Sequence, residues 1–64
     1  MAKVDGIVVS VGDWVGFKSD IEQYGTIIAI NGNRLTIENR NGFSGAYIGG
    51  DSITVQDASD CWLD

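Results

Sequence analysis

The side chains able to do acid–base work in this sequence are carboxylates: Asp13, Asp20, Glu22, Glu38, Asp51, Asp57, Asp60 and Asp64. Two carboxylates held at a fixed separation can act as general acid and general base. Each of these falls instead at a turn, a cap or an outward strand position, which is the pattern of solvated structural groups. Asp13 in particular is expected to hydrogen-bond turn backbone ahead of a strand. Histidine is absent, so Ser–His and Cys–His nucleophile pairs are excluded. The single cysteine, Cys61, has no basic neighbour in sequence and sits among Asp57, Asp60 and Asp64, which oppose thiolate formation. It reads as a small buried apolar side chain.

Metal and phosphate chemistry find no better footing. Zinc has no histidine or multi-cysteine ligand set. The closing "DASDCWLD" carries carboxylates but lacks the spacing and central glycine of a calcium loop. "NGFSGAYIGGD" at 41–51 is rich in glycine, yet it has neither the Lys nor the following helix of a phosphate loop. It reads as two tight corners around a short strand. The chain is therefore expected to be non-enzymatic and to need no cofactor or metal.

The aromatic residues remain. Strict alternation turns Trp14 outward if Val11, Val15 and Phe17 face a core, and turns Tyr47 outward if Ala46 and Ile48 do. Together with Tyr24 and Phe43 these could form an exposed patch for a peptide or for unpaired bases. Two other arrangements stay open: ordinary packing of Trp14 on a bent strand, and burial in a contact between copies of the chain.

The elements that would carry these residues are strands. The 64 residues make one domain over 1–64, with no proline, no repeat and no linker. Period-two runs dominate. "IVVSVGDWVGFK" alternates with a break at Gly12-Asp13. "YGTIIAI" places Ile27 and Ala29 opposite Thr26, Ile28 and Ile30. "NGN" at 31–33 is a hairpin turn, because Asn and Gly accept positive φ. "RLTIENR" sends Leu35 and Ile37 inward, and "SITVQ" is expected to send Ile53 and Val55 inward. Asp57 is a good N-cap for one helical or 3₁₀ turn near the end, with Trp62 or Leu63 closing one end of the fold. Met1 to Asp5 are expected to be loosely held. The fold class is all-β: a small five-stranded SH3-like barrel with a terminal helical or 3₁₀ turn, an OB-fold being the nearest rival.

Over residues 11–30, "VGDWVGFKSDIEQYGTIIAI" resembles the opening of KOW and related SH3-like barrels. Gly12-Asp13 matches their Gly-Asp, Val15 and Phe17 their apolar alternation, and Gly25 the glycine ahead of Thr26, Ile27 and Ile30. The resemblance implies the barrel fold and a role in contacting RNA or protein. RNA-binding members carry Lys and Arg in the first loop, where this chain has the acidic "KSDIEQ". The whole chain, ending in "DCWLD", is also similar to short uncharacterised proteins of tailed bacteriophages, which implies the cytoplasm of a host cell.

Charge sorts the partners. The formal net charge is −5, from nine acidic and four basic residues. Phosphate binding needs clustered Lys and Arg, and Lys3, Lys18, Arg34 and Arg40 are spread along the chain. The expectation is a protein-interaction module with a basic partner, or one that pairs with itself. The alternative is a KOW-like nucleic-acid adaptor using Lys18, Arg34 and Arg40. Lacking a leader pattern or an uninterrupted apolar span, the sequence suggests a cytoplasmic protein that does not enter membranes.

Overall fold

A computed structural model describes residues 2–19, 21–40, 42–43 and 52–63. The expected all-β architecture is present, but among the described residues the sheet is not closed into a barrel. Those residues form seven strands in two sheets. A short hairpin pairs β1 (Lys3–Val4) with β2 (Ile7–Val8). The main sheet holds β3 (Trp14–Ser19), β4 (Ile21–Asn31), β5 (Arg34–Glu38), β6 (Ile53–Asp57) and β7 (Cys61–Leu63), in the spatial order β6-β5-β4-β3-β7. All its pairings are antiparallel.

Of the stretch expected to be loosely held, Ala2 to Asp5 lead into and form part of the first hairpin, and Met1 lies outside the described residues. Asp5 and Gly6 take positive φ, +53° and +78°, the geometry of a two-residue hairpin turn. The turn folds Val4 back over Ile7, and Ala2, Val4 and Val9 enter the core. A second turn then separates β2 from β3. Asp13 Oδ2 accepts the Ser10 N–H at 2.9 Å, and Gly12 takes φ +102°. That turn resets the side-chain phase, so Val11 is exposed rather than inward, while Val15 and Phe17 are fully buried.

A bulge corrects the facing of β4. Ile27 pairs with Ile37 and Ala29 with Thr36, leaving Ile28 as the extra residue. One added residue inverts the alternation beyond it. Ile27 and Ile30 therefore both turn to the core, whereas Ile28 and Ala29 are exposed. The Gly32 turn at φ +62° then starts β5, whose Leu35 and Ile37 are buried as expected.

The edge strand β6 faces the opposite way from expectation. Residues paired directly across an antiparallel ladder share a face. Thr54 and Gln56 lie opposite Ile37 and Leu35 and so take the inner side, while Ile53 and Val55 lie opposite Glu38 and Thr36 on the outer side. The helical turn is a 3₁₀ turn, Ala58–Asp60, capped by the Asp57 carboxylate. It is not terminal, because β7 follows it and pairs with β3. The core thus lies under one face of the sheet: Val15, Phe17, Ile27, Leu35 and Ile37, closed by Val4, Val9, Phe43, Ala58 and Cys61.

Candidate functional site

The other face of the sheet carries the exposed aromatics. Directly paired residues Trp14, Thr26, Glu38 and Ile53 form one row across four strands. The neighbouring row runs Tyr24, Gly16, Trp62. Trp14 and Tyr24 are diagonal neighbours on β3 and β4, within reach of each other's rings. Their centroids are 6.4 Å apart with planes within 2° of parallel, an offset stack. Tyr24 in turn meets Trp62 edge to face at 6.3 Å. Its hydroxyl donates to Glu22 Oε1 at 3.0 Å.

Gly16 makes this ladder possible. A Cβ there would lie 2.5 Å from Trp62 Nε1, so the indole lies directly over the glycine. Gly25 does the equivalent on the inner face, where a Cβ would come within 2.7 Å of the Glu38 carbonyl oxygen. It lets β4 and β5 approach where the sheet bends.

Beside Trp14 lies an open depression of about 390 Å³, lined by Trp14, Thr26, Ile28, Glu38, Asn39 and Arg40. Its lining mixes the apolar Trp14 and Ile28 with the polar Thr26 and Asn39 and with one negative and one positive side chain, Glu38 and Arg40. Asn39 is fixed from behind, donating from Nδ2 to the Tyr24 carbonyl oxygen at 2.8 Å and from its backbone N–H to the Ser52 carbonyl oxygen. Ile28, the bulged residue, lines the depression as well.

Of the residues expected to form the patch, Trp14 and Tyr24 are brought together. Phe43 does not join them: it is buried in the core, edge-on to Phe17 at 5.4 Å. Tyr47 lies outside the described residues. Trp62 takes part instead, on the outer face rather than at the end of the fold. The signal for it in the sequence is Gly16, a glycine inside an alternating strand, which marks close approach by another group.

The cations named for nucleic acid do not form a cluster. Lys18 sits opposite Glu22, Arg34 opposite Asp57, and Arg40 in the depression with Glu38. The acids and the thiol have structural environments. Asp57 is held below the usual carboxylate range, first by the Ser59 backbone N–H and hydroxyl, then by Arg34 and Asn33. Cys61 is buried and donates to the Asp57 carbonyl oxygen; burial, then Asp60 and Asp57, push its thiol from 9.0 up to about 11. Among the described residues, no group of three or more His, Cys, Asp or Glu is placed to hold a metal. Nor is any helix there long and apolar enough to cross a membrane.

No protein-family model, curated protein or solved structure matches this chain.

Proposed function

We propose that this protein is a non-enzymatic, SH3-like interaction module that binds a protein partner on the outer face of its main sheet. The observation that carries the reading is Trp14: a large aromatic side chain left 46% exposed, stacked on Tyr24, beside a depression of mixed polarity that Glu38 and Arg40 help to line. Aromatic anchors inside a polar rim are what specific protein interfaces concentrate. Ile28 and Ile53 extend the apolar surface along the same face. The SH3-like reading of the fold is supported by five bent antiparallel strands in sequence-adjacent pairs, with the last strand folding back onto β3 after a 3₁₀ turn.

The test is Trp14→Ala, assayed by pull-down from host lysate alongside wild type and by melting. The stack contributes about 0.5–1.5 kcal/mol beyond area burial, so the variant should stay folded while the captured partner is lost. Unfolding of the variant would make Trp14 a packing residue and remove the basis of the reading. Capture of single-stranded RNA, strengthening as salt falls, would assign the face to nucleic acid instead.

A further inference from the structure

We propose that the outer edge of β6 takes up an extended, basic segment of a protein partner as a sixth strand of the sheet. This deepens the reading above and rests on it for the protein nature of the partner.

The two edges of the sheet are treated differently. The β7 edge is short and covered: the Leu63 N–H donates to Asp5 Oδ2 at 3.1 Å, and the β1–β2 hairpin packs against β7 and the 3₁₀ turn. The β6 edge has no such cover among the described residues. Its backbone phase is set by the bonds at its two ends, Asn39 N–H to the Ser52 carbonyl and Ala58 N–H to the Asn33 carbonyl. Residues 52 and 58 thus bond toward β5, and by alternation so do 54 and 56. Ile53 and Val55 point their N–H and C=O groups away from the sheet, with no partner among the described residues. Protected edges carry Lys, Pro, a bulge or an inward charge. Ile53–Gln56 has none of these, and its register with β5 is unbroken.

The side chains define the occupant. On the outer face an added strand would lie beside Ile53 and Val55, 49% and 51% exposed, so apolar residues suit its matching positions. The charges around this edge are Glu38, opposite Ile53, Asp57 at the strand end and Asp60 in the following turn, against Arg34 and Arg40, an acidic balance in a chain of net charge −5. Basic residues suit the remaining positions. A second copy of the chain suits the edge less well. It would set −5 against −5. Main-chain pairing with a peptide strand needs no large interface area.

The probe is a short synthetic peptide alternating Lys and Val. A Glu/Val peptide and a Lys/Val peptide N-methylated along its backbone serve as controls. The Lys/Val peptide should bind, more weakly as salt rises, and slow hydrogen exchange at the Ile53 and Val55 amides. The controls should bind at least about tenfold more weakly. Val55→Pro removes only an outward N–H, and Val55→Lys adds a repelling charge; each should weaken binding about tenfold while Val55→Thr retains it. Melting and exchange protection in β4 verify that each variant is folded. Absence of binding, equal binding of either control, or binding that leaves the Ile53 and Val55 amides unprotected overturns the proposal. So does a peptide-free dimer with those amides already protected, which would make the second copy the occupant. Binding lost in Trp14→Ala without edge protection would sink the β6 proposal and leave the Trp14 reading standing. Edge protection that survives Trp14→Ala would support β6 by itself.

Discussion

On the inner face of the main sheet, Val15, Phe17, Ile27, Leu35 and Ile37 are closed off from water completely; on the outer face, Trp14, Ile28, Ile53 and Val55 remain 39–51% exposed. Large apolar side chains stand on both faces of the same strands, although the outer face adds Lys18, Glu22, Thr26, Arg34 and Glu38. The inner face is covered by the β1–β2 hairpin residues, by Phe43 and by Ala58, and so becomes core. Among the described residues the outer face has only its own aromatic ladder, with Gly16 receiving Trp62 and Tyr24 bridging to Trp14. Apolar composition therefore does not separate core from exposed face in a sheet this small; the presence of a covering layer does.

The sharpest way to break the comparison is to remove one ring from each face. Phe17→Ala should cost about 3–5 kcal/mol by cavity formation, comparable to the whole stability of a small single-core domain. Far-UV circular dichroism should show the chain largely unfolded at 25 °C. Trp14→Ala should leave that spectrum native. If both variants unfold alike, the two faces are one core.

A smaller effect is expected at the glycine beneath the ladder. Gly16→Ala sets a methyl against the Trp62 indole and should cost about 1–3 kcal/mol, as overpacking does. It should change the near-ultraviolet dichroism of the tryptophans while the β4–β5 ladder keeps its exchange protection. An unchanged near-ultraviolet spectrum would show that Trp62 does not rest on Gly16.

The smallest effect belongs to the inner face and appears only in alkali. The folded state holds the Cys61 thiol protonated up to about pH 11, whereas the unfolded thiol ionises near 9.0. Between those values the folded state binds the extra proton, so stability falls as pH rises from about 9 to 11. Cys61→Ala should lose that part of the alkaline decline in melting temperature. At neutral pH the wild-type thiol should resist alkylation until the protein unfolds.

Much of this was legible in the residues. Alternation at Val15 and Phe17, the Asn-Gly turn at 31–33, the inward Leu35 and Ile37, the Asp57 cap and the turn-bonding Asp13 all follow from local rules that hold whatever the chain packs against. The Asp5-Gly6 hairpin was legible too, as a strong two-residue turn signal between Val4 and Ile7, but the run "IVVSVGDWVGFK" reads more readily as one interrupted strand. The site was half legible: Trp14 and Tyr24 follow from phase, whereas burial of Phe43 does not.

Local sequence was enough for an acidic, all-β chain with no histidine and a lone thiol, because composition, turn chemistry and period-two patterning act over a few residues. Which face of each strand became core was decided in three dimensions. A single bulged residue at Ile28 inverted the rest of β4, and pairing with β5 turned Ile53 and Val55 outward. Phase along a strand is local, but the side of a sheet that loses its water depends on what folds across it, and here the hairpin at one end of the chain and Phe43 near the middle fold across only one side.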